Sequence, residues 1–177
     1  MKRPKILLDE PHEFFRKMKP NLSSSVKYFL AMLSVFIVLN ELSIRAGITE
    51  YIPKAGPIES VIINYFSLLA GFFLLAVLVF LLLLMQETKK MNGKLAEVIC
   101  ILAYSTTPVM LFGWIPFSVI QAITILWSLA FLAIGIKTRL KLGNRPAIIS
   151  ILALVILMII LSVTFNNYII SIIPSLS

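Results

Sequence analysis

"FSLLAGFFLLAVLVFLLLLM", residues 66–85, runs for twenty positions without one charged side chain. A hydrocarbon core about 30 Å thick is crossed by about 20 apolar residues in a helix. The stretch is aliphatic or aromatic on nearly every side, so it offers no polar face to water and reads as a helix in lipid. The whole chain follows it. Of 177 residues, 59% are hydrophobic and 14% charged, and the mean hydropathy is +0.98. A soluble domain of this length could not hide so much leucine and isoleucine from water, which excludes the ordinary soluble classes.

Working outward from 66–85, four more stretches qualify as spans, and the predicted set is 26–43, 58–85, 95–112, 117–136 and 147–165. The basic residues orient them. Residues 1–27, the loop 86–94 and the loop 137–146 share one side of a five-span protein and carry 14 of the 16 Lys and Arg. The other side has Arg45 and Lys54. The positive-inside bias therefore predicts a cytoplasmic N-terminus and an extracytoplasmic C-terminus. The net charge of +8 is expected to orient the chain and attract anionic lipid headgroups at the cytoplasmic basic loops, not nucleic acid. "MKRPKILLDE" has too short an apolar run for a cleavable leader, so none is expected. The fold class is an all-α polytopic membrane protein, with five transmembrane helices and a short N-terminal interfacial helix. Its predicted parts are a cytoplasmic segment 1–25, a transmembrane domain 26–170 and a short tail 171–177.

The interfacial helix is read from "DEPHEFFRKMKPN", residues 9–21. Pro11 suits a first helical turn, Asp9 and Glu10 suit its positive end, and Pro20 stops it. Phe14 and Phe15 would dip into the membrane interface while Arg16, Lys17 and Lys19 reach phosphates. His12, the single histidine, is expected to be an exposed polar residue on that helix. No metal site is expected, because a second histidine and a CxxC are both missing. Cys100 is the one cysteine, so no intrachain disulfide can form.

The third span carries "AYSTTPVMLFGWIPF", residues 103–117. Pro108 must cost the helix one hydrogen bond and free the carbonyl of Tyr104, and Ser105, Thr106 and Thr107 offer replacement donors. Gly113 and Pro116 mark a tight hairpin into the fourth span. Small or polar residues recur at helical spacing: Asn64, Ser67 and Gly71 on the second span; Cys100, Ala103, Tyr104 and Thr107 on the third; Gln121, Thr124, Ser128 and Gly135 on the fourth. These stripes are expected to face other helices. A conduit for ions would need ionisable residues at depth, and Glu41 and Glu97 lie near span ends where water is expected to reach them. Ser105, Thr106 and Cys100 have no histidine or lysine base in any span, so no catalytic residue, enzyme activity or cofactor is expected.

With those features in place, the chain resembles the Yip family, five-span proteins first known as Rab-GTPase-interacting proteins of Golgi membranes, with prokaryotic members. The resemblance rests on "LAYSTTPVML", where Tyr104 and Pro108 stand in register with the family's Gly-Tyr pair and following proline. It extends to Trp127 and Gly135 in "IPFSVIQAITILWSLAFLAIGIK" and to the Pro-x-x-phenylalanine opening in "DEPHEFFRKM". Ala103 stands where the family has glycine, and the acidic Asp-Leu-Tyr motif of eukaryotic members has no counterpart, so Rab binding does not carry over. The resemblance implies a non-enzymatic membrane protein of the prokaryotic type that organises membrane or recruits partners, with a membrane protein or a second copy as candidate partner. A small transporter for a neutral solute or lipid is the alternative. Candidate packing or interaction residues are Tyr104, Thr107, Pro108, Gly113, Pro116, Gln121, Trp127, Gly135 and Asn64.

Overall fold

The computed structural model describes residues 7–48 and 56–156, and every regular element among them is a helix. After helical residues 7–9, these are in chain order α1 (Pro11–Lys17), α2 (Leu22–Arg45), α3 (Pro57–Gln86), α4 (Thr88–Met91), α5 (Leu95–Ser105), α6 (Thr107–Phe112), α7 (Ser118–Arg139) and α8 (Asn144–Ile156). Local chemistry sets the ends. Asn21 caps α2 by accepting from the Ser24 N–H at 3.0 Å. Pro57 opens α3, and the Glu59 carboxylate reaches back to the Gly56 N–H. Gly93, at φ 73°, makes the turn before α5, a conformation that side chains with a Cβ resist.

Four units are long and apolar enough to cross a bilayer: Leu22–Arg45, Ile58–Gln86, Leu95–Phe112 and Ser118–Arg139. The fifth predicted span, 147–165, is described only to Ile156, as the apolar helix α8, and the remainder lies outside the described residues.

The α5–α6 unit forms the centre, and α2, α3 and α7 pack around it. Eight consecutive residues of α5, Val98 to Ser105, are buried. Its neighbours each bury one stripe: Ser25, Phe29, Leu33, Ile37 and Glu41 on α2, and Phe72, Ala76, Val79 and Leu83 on α3. Steps of three and four keep each set on one side of its helix. Phe29 and Phe72 stack at 3.8 Å between centroids, locking α2 to α3. Cross-links place successive spans antiparallel: Ser60 near the start of α3 donates to Glu41 near the end of α2, and Arg139 at the end of α7 pairs with Glu97 at the start of α5.

Two expectations need correction. Glu41 is buried, with its charge held by Arg45 and by the Ser60 hydroxyl at 3.1 Å, so protein groups rather than water satisfy it. On α3, Ser67 and Gly71 lie on the exposed face. The inward stripe of α3 is apolar and aromatic because Phe72 finds a stacking partner in Phe29, while a glycine or serine turned outward forfeits little contact.

Candidate functional site at the kinked third span

The third span breaks where Pro108 has no N–H to give the Tyr104 carbonyl. α5 ends at Ser105, Thr106 bridges, and α6 resumes at Thr107. Three neighbouring hydroxyls turn back onto backbone carbonyls, and the one on Thr107 answers the carbonyl that Pro108 strands. Ser105 donates to the Ile101 carbonyl at 2.8 Å, Thr106 to Ala103 at 3.2 Å, and Thr107 to Tyr104 at 2.6 Å. The Thr107 hydroxyl also meets the Tyr28 hydroxyl at 2.8 Å. Since Thr107 spends its proton on Tyr104, Tyr28 must be the donor in that pair. A relay therefore runs from Tyr28 through Thr107 to the carbonyl freed by Pro108. With Thr107 fully buried and Pro108 buried, water is not needed to satisfy the kink.

Above the kink sits an aromatic cluster from three elements. The Tyr104 ring lies 4.7 Å from Tyr28 of α2 and 4.9 Å from Phe14 of α1, the latter edge-on. Phe15 packs the other side of α1 into α7. An added Cβ on Gly135 would stand 3.2 Å from the Phe15 ring and 2.4 Å from Ile101 Cγ2. Gly135 is therefore a notch that admits α5 and α1 together. Where the sequence pointed Phe14 and Phe15 toward the membrane interface, the structure buries Phe15 completely and half-buries Phe14 against Tyr104. The physical reason is that the notch and the Tyr104 ring offer close-packed partners that fluid headgroups cannot.

The charged side of α1 stays outward. Arg16 and Lys17 are both exposed and both pair with Glu13. Lys19 is exposed and has no ion pair among the described residues. The Lys17 hydrogen bond holds the Glu13 carboxyl below the usual glutamate range; desolvation opposes it, and the charges of Arg16 and Lys17 add to the lowering. A depressed folded value means that its contribution to α1 is present above the unfolded glutamate pKa and lost as pH falls through the folded one. NMR titration is expected to find Glu13 below the ordinary value, and Lys17→Met to move it back up.

The remaining candidates lie elsewhere. Gly113 closes α6, where a Cβ would stand 2.5 Å from the Val109 carbonyl oxygen, and the hairpin is pinned by the Trp114 indole on the Leu111 carbonyl at 2.7 Å. Pro116 is half-buried in that hairpin, and Gln121 is exposed with its amide 3.5 Å from the Gly113 carbonyl. Trp127 lies parallel to Phe112 at 6.3 Å, joining α6 to α7. Asn64 is half-buried and stands apart from the cluster, with no side-chain hydrogen bond among the described residues. So Tyr104, Thr107, Pro108, Phe14, Phe15 and Gly135 come together; Gly113, Pro116, Gln121 and Trp127 form the opposite hairpin. Sequence reasoning missed Tyr28 and Ser25. Their signal was available: Ser25, Tyr28 and Phe29 follow the three-and-four spacing of one inward face.

Chemically, the arrangement offers hydrogen bonds, aromatic faces and cations. No group of three His, Cys, Asp or Glu side chains able to hold a metal ion occurs among the described residues. The family model described as the Yip1 domain matches residues 5–165. Neither a curated protein nor a solved structure matches the chain.

Proposed function

The chain belongs to the Yip family, and from that membership we propose that it works without catalysis, organising membrane or recruiting partners in trafficking-like assembly. It is an integral membrane protein: four helices have the length and apolarity to cross a bilayer, and large apolar residues such as Leu74 and Leu126 face outward. The proposal takes five spans, the fifth over 147–165, with the N-terminus cytoplasmic and the C-terminus outside, because 14 of the 16 Lys and Arg fall on one side of that arrangement. Anionic lipids would gather at the basic loops, and a membrane protein or a second copy would be the partner.

The observation that carries this reading is the seating of α1. It closes over the kinked span and presents Arg16, Lys17 and Lys19 at the end of the bundle that also bears Lys137 and Lys141. A rigid basic platform suits docking better than passage. Transport of a neutral solute or lipid has less support, because Ser67 and Gly71 of α3 turn outward instead of lining a path. Photocrosslinking from Lys19 and Lys137 positions in native membranes is the test. Recurring protein partners are expected; crosslinks to lipid alone would remove partner recruitment.

A further inference from the structure

Between α1 and the start of α2 lies a cavity of about 630 Å³, a size typical of small-molecule sites. Phe14, Met18 and Tyr104 form its apolar wall. Two of its lining side chains are polar, buried and without a hydrogen-bond partner among the described residues: Ser25, 2% exposed, and Tyr104, 4% exposed. A long helical side chain leans toward the N-terminus of its own helix, which carries the Tyr104 hydroxyl to the cavity's end of α5. Ser25 lies in the first turns of α2, whose positive dipole end meets the same space. With no protein partner among the described residues, both hydroxyls are free to donate to a ligand in the cavity that supplies acceptors.

The charges at the mouth narrow its chemistry. Glu13 and Lys17 neutralise one another there. Glu10 and Lys19 also line the cavity, and neither has an ion pair among the described residues. One negative and one positive group at one opening match a ligand carrying both signs. An anionic headgroup would meet Glu10 unfavourably, and an uncharged one would gain nothing from either charge.

We propose that this cavity binds the headgroup of a zwitterionic phospholipid. Its phosphate is held by Ser25, the Tyr104 hydroxyl and Lys19; its ammonium rests on Glu10. Phe14 and Met18 receive the glycerol and the first acyl carbons. The site rests on the membrane reading above, which sets the basic end of the bundle at headgroup depth, but it does not depend on any protein partner.

The test is native mass spectrometry of the delipidated full chain in detergent with equal amounts of dioleoylphosphatidylethanolamine, dioleoylphosphatidylglycerol and dioleoylglycerol. Phosphatidylethanolamine adducts are expected to exceed each of the others by about tenfold, and Glu10→Gln to reduce that preference over phosphatidylglycerol to about twofold or less. Lys19→Gln and Ser25→Ala should each weaken the adduct by about threefold or more, whereas Lys137→Gln in the last turn of α7 should not. Glycerophosphoethanolamine should compete and inorganic phosphate should not. Three lipids binding alike and indifferent to Glu10→Gln would reduce the adduct to annular lipid and overturn the proposal. Equal competition by inorganic phosphate, or an equal loss in Lys137→Gln, would overturn it too. Partner crosslinking is a separate readout, so failure here and failure of the recruiting role can be told apart.

Discussion

Replacing Gly135 with valine is expected to lower the thermal unfolding midpoint in detergent by about 4–8 °C. The contact geometry requires a large effect. A Cβ there would meet Ile101 Cγ2 at 2.4 Å, and that methyl, branching at the Ile101 Cβ, has little freedom to retreat. Overpacking a filled interior costs about 1–3 kcal/mol, and a chain of this size loses about 2–4 °C per kcal/mol. The Phe15 ring, 3.2 Å from the same point, would be pushed out as well, so two interfaces fail through one residue. Gly71 is the control: nothing stands within 4 Å of its added Cβ, so Gly71→Ala should be neutral or slightly stabilising through helix propensity. Circular dichroism at one fixed scan rate reads both. A Gly135→Val protein that melts with the wild type would mean that α7, α5 and α1 do not meet at this notch.

Thr107→Val is expected to destabilise by about 1–2 kcal/mol, near the upper end for a hydrogen bond inside a membrane bundle. Shape is preserved, so the loss is the hydroxyl alone. It strands two groups at once, the part-buried Tyr28 hydroxyl and the Tyr104 carbonyl. Pro108→Ala changes the outcome in a specific way, because the restored N–H can satisfy the Tyr104 carbonyl directly. In that background Thr107→Val should cost about half as much, with only Tyr28 left unpaired. Ser105→Ala gives the baseline, since its carbonyl partner on Ile101 is one turn back in an intact helix. Chemical unfolding of the four members of the Thr107/Pro108 cycle measures the coupling. Strict additivity would show that Thr107 does not repair the proline break.

The helices were legible because lipid leaves a coarse signature. Each crossing helix begins and ends within about one turn of the limits read from apolar run length. The kink was legible for a local reason: Pro108 names the carbonyl it strands, and the donors lie on neighbouring residues. Which faces turn inward was harder. On α5 nearly everything is buried, so the polar stripe and the buried set coincide. On α3 they do not, since in a bilayer both faces are apolar and neighbour shape decides; Phe72 stacks inward while Ser67 turns out. The placement of α1 was illegible because amphipathicity looks the same whether Phe15 meets headgroups or a protein notch. Only the distance from Gly135, 120 residues away, separates the two. Tyr28 escaped notice similarly, because its partner Thr107 is remote in sequence.

Hydrogen exchange across α1 tests the seating of that helix on the kinked span most directly. Seven residues fall well short of the about 12–15 that an isolated helix needs in water, so protection of its amides must come from docking. In nanodiscs, the amides from Phe14 to Met18 should exchange slowly in the wild type and near the unstructured rate in Gly135→Val. Fast exchange in the wild type, or slow exchange that survives Gly135→Val, would show that lipid headgroups or nothing at all holds α1, and the account would fail.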